Sequence, residues 1–226
     1  MNKKHILPLF LILFFAGTTF AQTDSINSAA PKKIKYRIET GYGQDFRFGK
    51  SVVTSPYHSI KGGLNIEIPL NYGFGIETGL KYDNSFGKRD QLYAHNDTAT
   101  FKYNAHFVDI PVRAIYTLPV IWGLKVFAYA GPNFNIGLLH TDKISTIYHE
   151  VDPAPTHPII MPKSGKYNTY ADELHRFNFQ LGTGGGLQWK NYRVRSGYNW
   201  GMNSVSKTKG KSQRIQGWQV SFEYEF

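Results

Sequence analysis

The last nine residues constrain the fold more than any other stretch. Trp218, Val220, Phe222, Tyr224 and Phe226 alternate with Gln219, Ser221, Glu223 and Glu225. Alternation with a period of two gives a strand with one apolar and one polar face. The sequence ends on that aromatic residue, with nothing after it to cover the apolar face, so lipid is the expected partner of the face.

The same period recurs upstream in segments of about ten residues, close to the roughly 9–11 that a tilted strand needs to cross a bilayer. From Lys35, the residues Tyr36, Ile38, Thr40 and Tyr42 oppose Lys35, Arg37, Glu39 and Gly41. Ile60, Leu64, Ile66, Ile68 and Leu70 oppose Lys61, Asn65 and Glu67. After a turn at Asn71 and Tyr72, Phe74, Ile76, Thr78, Leu80 and Tyr82 oppose Glu77 and Lys81. A fourth segment spans Tyr103 to Thr117, with Val108, Ile110, Val112 and Tyr116 opposing Asp109 and Arg113. The fifth, Leu124 to Gly137, carries Val126, Phe127, Tyr129 and Ile136 and is ambiguous in its facing. Phe177 to Trp189 and Tyr192 to Trp200 alternate again, and the terminal strand is the eighth.

Turns of a few residues at 71–72, 118–123 and 190–191 alternate with long connections at about 46–58, 83–102, 138–175 and 203–213. This asymmetry marks a membrane β-barrel with short periplasmic turns and long extracellular loops. The expected fold is therefore all-β, an eight-stranded antiparallel transmembrane barrel over residues 35–226. Ten strands would require Ile144 to Val151 and a partner to cross as well. Pro153, Pro155, Pro158 and Pro162 argue against a paired strand there.

The amino terminus supplies the address. Lys3 and Lys4 precede an apolar run from Ile6 to Phe15, and Thr19, Phe20 and Ala21 form a small-x-small pattern. This reads as a signal peptide, residues 1–21, followed by a periplasmic segment over 22–34. The apolar run is too short to span as a helix. With no cysteine in the chain, disulfides, thiolate chemistry and an acyl anchor on cysteine are excluded. The net charge of +10 falls to +8 without the signal peptide, an excess that favours anionic partners.

An eight-stranded barrel is only about wide enough inside for side chains. The pleat assigns Arg37, Lys61, Lys81, Arg113, Arg193 and Arg195 to the lumen together with Glu39, Glu67, Glu77, Asp109, Glu223 and Glu225. Charges held away from water pair with one another, so a polar plug of ion pairs is expected rather than a pore. Aromatic belts are expected at Tyr72, Phe74, Trp122, Trp189, Tyr192 and Phe226 on the periplasmic side and at Phe46, Phe48, Tyr57, Tyr82, Phe86 and Phe177 on the outer side. Export and this two-ended placement weigh against a nucleic-acid surface.

Chemistry is thinly represented. His58 with Ser59, His106, Ser204 and Ser206 could serve an enzyme acting on outer-leaflet lipid, but no Gly-x-Ser-x-Gly elbow is present and no nucleophile, base and acid share a face. His140, His149, His157 and His175 with Asp142, Glu150, Asp152, Asp172 and Glu173 lack the spacing of a metal site. The run Gly182-Thr183-Gly184-Gly185-Gly186 lacks the ending of a phosphate loop and falls inside a strand. No catalytic residue, cofactor or metal is therefore expected. Lys207, Lys209, Lys211 and Arg214 form a basic outer segment suited to lipopolysaccharide phosphates.

The stretch Val108-Asp109-Ile110-Pro111-Val112-Arg113 resembles the acid-Ile-Pro-aliphatic strand motif of the PorT-like outer-membrane β-barrel proteins of Bacteroidetes. Tyr129-Ala130-Gly131-Pro132, Glu67-Ile68-Pro69-Leu70 with Tyr72-Gly73-Phe74-Gly75, and the glycine-rich sixth strand are similar to that family too. The resemblance implies an integral outer-membrane barrel inserted by the barrel-assembly machinery, which reads the terminal aromatic strand, and it carries over no catalytic residues. One family member serves type IX secretion, so an accessory role with a protein partner in the envelope is the second functional expectation. The first is a non-enzymatic envelope or surface protein, and the third a lipid-modifying enzyme.

Overall fold

A computed structural model describes residues 33–49, 56–92, 98–147, 162–208, 210 and 212–226. The expected signal peptide, 1–21, and residues 22–32 of the periplasmic segment lie outside these. The described residues form nine strands: β1 (Lys35–Gly49), β2 (Pro56–Pro69), β3 (Phe74–Leu92), β4 (Thr98–Pro119), β5 (Leu124–Ile147), β6 (Gly165–Asn168), β7 (Phe177–Trp189), β8 (Tyr192–Gly201) and β9 (Gln213–Glu225). One short helix, α1 (Thr169–Asp172), precedes β7.

Eight of the strands close on themselves. β1 pairs antiparallel with both β2 and β9, and the ladder continues through β3, β4, β5, β7 and β8 back to β9. The opening strand meets the terminal one in the register Ile38↔Tyr224 and Thr40↔Phe222. Closure removes every edge, so no backbone group within the wall is left facing lipid. β6 is the ninth strand and does not cross. It adds four residues to the outer end of β5, Thr141↔Asn168 through Ile144↔Gly165.

Side chains sort by the pleat. Ile38, Ile60, Leu64, Ile68, Ile76, Leu80, Val194 and Phe222 are all exposed on the outer wall, while Arg37, Glu77, Arg193, Arg195 and Glu223 are buried inside. A soluble protein would invert this arrangement, and a bilayer requires it. At the periplasmic end the turns use left-handed backbone: Tyr72 and Gly73 have φ of 60° and 81°, Trp122 and Gly123 have 49° and 78°. Glycine as the second residue of each pair lets two successive positive φ values close a tight hairpin.

Three connections expected to be loops contribute further residues to strands. β1 runs on to Gly49 and β2 begins at Pro56, β3 and β4 extend to Leu92 and from Thr98, and β5 continues to Ile147. Residues 83–92 pair with 98–107 in unbroken register up to Leu92↔Thr98. Ile144 through Ile147 belong to β5 rather than to an additional crossing. The barrel wall therefore stands well above the bilayer on one side, with β3, β4 and β5 tallest.

β7 and β8 face a second constraint. Phe127 and Tyr129 of β5 point inward and are almost wholly buried. The inward positions opposite them are glycines: a Cβ at Gly186 would lie 2.8 Å from the Phe127 ring, and one at Gly184 or Gly197 would meet the Tyr129 hydroxyl. The glycine run is thus a slot for two rings, not a ligand loop. Replacing Gly184 by Val should destabilise the folded barrel by about 1–3 kcal/mol, the usual effect of forcing extra atoms into a filled interior. The urea midpoint of the heat-modifiable gel band would report it, and an unchanged midpoint would show the slot has slack.

Candidate functional site

The lumen is built around one carboxylate. Glu77, wholly buried on β3, lies 2.9 Å from the Arg195 guanidinium, 3.4 Å from Arg193, 3.7 Å from Arg113 and 4.0 Å from Arg37. Arg195 also pairs with Glu223 at 2.9 Å and stands 3.8 Å from Glu39. Lys81 pairs with Glu39, and the Asn65 amide donates to both Glu39 (2.6 Å) and Glu223 (3.0 Å). Toward the periplasm, Arg37 donates to Glu225 at 2.6 Å and pairs with Glu67 at 2.8 Å, and Glu67 also takes Lys35 at 3.0 Å and Arg193 at 3.1 Å. Toward the outside, Lys61 pairs with Asp83 at 3.0 Å, and Asp109 accepts from Asn133 (3.1 Å) and Asn135 (2.8 Å).

All twelve charged residues assigned to the lumen from the sequence face inward, although Glu225 sits at the periplasmic mouth and keeps a quarter of its side chain exposed. Asp45 and Asp83 share the upper lumen with them. Both fall at or near segments read as loops from the sequence. The aromatic share of the lumen also escaped that reading. Arg193 stacks 4.2 Å from the Phe127 centroid, and Arg195 and Arg113 stack 4.4 and 4.6 Å from that of Tyr129. The rings lie along guanidinium faces while carboxylates take the edges, so each arginine uses both of its recognition modes.

Above the network the mouth is capped. Tyr170 and Leu174, from the segment between β6 and β7, pack with Ala105, Phe107 and Val205 in a dry cluster that Ile215 borders. Asn168 caps α1 by accepting from the Tyr170 amide at 3.1 Å, and Lys207 Nζ donates to the Tyr170 and Ala171 carbonyls at 2.7 and 2.9 Å. Lys207 is thereby turned into the mouth, away from any lipid phosphate. Arg214 is exposed on β9, and Lys209 and Lys211 lie outside the described residues.

Outside this cap the tall strands enclose a vestibule of about 990 Å³, lined in part by Arg47, Tyr57, Arg89, Phe101, Tyr103 and Asp142. Tyr57, expected in the outer lipid belt, instead lies in this vestibule, 3.9 Å from the Tyr103 ring and 4.6 Å under Arg47. At the periplasmic end a groove of about 630 Å³ opens by Lys35, Glu67 and Phe226. Between the two, a void of about 10 Å³ lies beside Asp45, Lys61 and Asp109.

The residues weighed for catalysis are dispersed. His58 is bonded to the Tyr42 hydroxyl at 2.5 Å on the outer wall, whereas Ser59 is fully buried on the opposite face. His106 bonds Tyr82 on the same outer wall. Ser204 and Ser206 accept from backbone amides of their own turn. His140, buried beside the vestibule, has Nε2 2.9 Å from Arg47 and 3.2 Å from Asp142, while His149, Glu150, Asp152 and His157 lie outside the described residues. Burial, with Arg47 adding to it, pushes the His140 pKa below its ordinary value although Asp142 and Glu173 oppose the shift.

A family model described as outer membrane protein beta-barrel domain matches residues 20–207. No curated protein matches the chain significantly. Among solved structures, Neisserial surface protein A aligns at 11% identity with a TM-score of 0.47, over 86% of this chain and 100% of that one. Ail of Yersinia pestis, in complex with the heparin analogue sucrose octasulfate, aligns at 14% identity and a TM-score of 0.42, with the same coverages. The N-terminal β-barrel domain of Pseudomonas aeruginosa OprF aligns at 13% and 0.35, again over 86% and 100%.

Two expectations follow from the geometry. Arg195→Ala leaves Glu77 and Glu223 short of a partner and should lower stability by about 3–5 kcal/mol. Arg214→Ala on the exposed wall should stay within about 0.5 kcal/mol, both measured by urea unfolding in detergent micelles. His140 takes up a proton less readily in the folded mouth than once the mouth opens. Stability of the cap is therefore full above about pH 6.5 and declines as pH falls below it, because the open form then binds more protons. The protection factor of the Tyr170 amide, its exchange rate corrected for the intrinsic effect of pH, should fall between pH 7 and pH 5, and His140→Phe should flatten that dependence.

Proposed function

We propose that this chain, which belongs to the outer membrane protein β-barrel domain family, is a non-enzymatic integral protein of the bacterial outer membrane whose lumen is closed and whose outer wall makes its contacts. The observation that carries the reading is the Glu77 network. Its arginines and carboxylates, with the rings of Phe127 and Tyr129, fill the cross-section of the barrel at mid-height. A conducting path would have to break several buried ion pairs at once, each strongly resistant to losing one partner. The dry cluster around Tyr170 closes the outer end a second time.

The finer reading places the chain among the PorT-like proteins, on the strength of Val108 to Arg113. That motif sets Asp109 and Arg113 in the lumen on either side of the buried Pro111, whose carbonyl accepts from Thr78 at 2.9 Å. Export by the signal peptide over 1–21 and insertion by the barrel-assembly machinery belong to the same reading. An accessory role toward a secreted or secretion-system protein is the second reading. It draws support from the wall of β3, β4 and β5, which stands above the membrane as a preformed surface. Lipid modification loses ground because His58 and Ser59 face opposite sides of the wall.

Single-channel recording of the purified protein in planar bilayers should show no steady conductance of porin size. Steady openings in the wild type would defeat the closed-lumen reading. Openings confined to Arg195→Ala would support it.

A further inference from the structure

Four lysines stand side by side on the outer wall. The register pairs Lys88 of β3 with Lys102 of β4, Lys102 with Lys143 of β5, and Lys143 with Lys166 of β6. All four are exposed. Lys88 shares its parity with Leu80, Tyr82 and Phe86, which face outward, so Lys88, Lys102 and Lys143 lie on the outside of the barrel, while Lys166, on β6, stands at its rim and also borders the vestibule. Neighbouring strands are about 4.8 Å apart, so the row spreads four positive charges over about 14 Å along the hydrogen-bonding direction.

Such a row works against the sheet. Like charges directly opposite across a ladder destabilise it, and here the same unfavourable pair occurs three times in succession. Compensation within the chain is slight. Lys88 pairs with Asp90 at 2.9 Å and Lys102 acts on the same carboxylate from further away, but among the described residues Lys102, Lys143 and Lys166 form no direct ion pair. One step above the row Asp90 faces Thr100, which donates to it at 2.6 Å, and one step below it Phe86 faces Asn104. Nothing in the closure, the lumen or the cap calls for cations at these positions.

Height identifies the partner. Phe86 is the last aromatic of the outer belt on β3, and Lys88 is the next outward residue above it, a rise of about 5 Å along the wall. Aromatic belts mark the headgroup level. The row therefore begins just above that level at Lys88 and, because the strands are tilted, climbs outward from β3 to β5, Lys102 and Lys143 standing further from the periplasmic ends of their strands; it follows the layer in which the phosphorylated or carboxylated sugars of an outer-leaflet glycolipid present anions. We propose that Lys88, Lys102, Lys143 and Lys166 form a binding site for the anionic saccharide headgroup of lipopolysaccharide in the surrounding leaflet. It rests on the reading of the chain as an outer-membrane barrel and is independent of whether the lumen conducts. The ligand supplies the counter-charge that the sheet lacks, and a row of ammonium groups on flexible stems can adapt to phosphates at several spacings. Lys207, which the sequence offered for this task, is held by α1, so the contact moves from the last outer segment to the opposite wall.

The test exploits the repulsion. Wild type and Lys88→Gln/Lys102→Gln/Lys143→Gln/Lys166→Gln would be reconstituted in phosphatidylcholine vesicles with and without purified lipopolysaccharide, and unfolding followed by the heat-modifiable band. Without lipopolysaccharide the quadruple variant should unfold at a temperature equal to or above that of the wild type. With it the order should reverse, and the variant should need about tenfold more lipopolysaccharide for half of the maximal shift. Chemically dephosphorylated lipopolysaccharide should give the wild type a smaller shift. An equal shift in both proteins would overturn the site, as would an equal effect from the deacylated, soluble saccharide, which would assign the row to a soluble anion. Should the quadruple variant insert poorly, Lys102→Gln/Lys143→Gln at the centre of the row must show the same reversal in part. Conductance reads the lumen separately, so failure of the row and failure of the closed-lumen reading are distinct results.

Discussion

The barrel depends on how a fully buried carboxylate is kept charged. Glu77 has no exposed surface, and its two oxygens are reached by guanidinium groups from β4 and β8. These strands are brought together only by closure of the ring, so the network cannot form in any hairpin alone. Removing an ion from water is opposed by several kcal/mol, and the opposition is met only when the whole set of partners is in place. The interior thus does in a membrane protein what an apolar core does in a soluble one: it makes the completed ring cooperative. The apolar face cannot play that part, since lipid solvates it equally well before and after closure.

Glycine and aromatic residues divide the lumen unequally. On the β1 to β3 side the inner wall is carboxylate and lysine with Arg37, whereas β5 supplies Phe127 and Tyr129 and β7 and β8 supply the flat slot at Gly184, Gly186 and Gly197. The three arginines 113, 193 and 195 lie between the two halves, faces to the rings and edges to the acids. Arginine is suited to that position because its guanidinium is planar and weakly hydrated, and a lysine there would lose the stacking contact.

Alternation made the wall legible wherever lipid was on one side. From Tyr36 to Tyr42 or Leu64 to Ile68 the contrast between an apolar and a charged face leaves little choice, and the charged set of the lumen follows directly. Above the outer belt the contrast vanishes because both faces meet water. Asn84, Lys88 and Asn104 then alternate with Ser85, Arg89 and Tyr103, and nothing in the pattern separates a strand from a loop. Asp83 was missed for that reason, and with it the partner of Lys61. The inward facing of Phe127 and Tyr129 was illegible for another reason. It depends on glycines more than fifty residues away in the chain, which only the register of β5 with β7 brings opposite.

The lysine row belongs to the same class of feature. Lys88, Lys102, Lys143 and Lys166 are separated by uneven intervals and form no cluster in the sequence, in contrast to Lys207, Lys209, Lys211 and Arg214, which catch the eye as a run. The run is local, and one of its lysines is consumed in holding the cap. The row is a product of strand pairing and inherits its rigidity from β3, β4 and β5, which continue downward into the lumen network, Lys88 lying on the same strand as Glu77, Lys81 and Asp83. A charge pattern carried on such a strand keeps its height and direction relative to the bilayer, which a loop cannot do. Extending the wall beyond the membrane, at the expense of loops, therefore makes sense as a way to hold outward-facing groups at a fixed level in the headgroup layer.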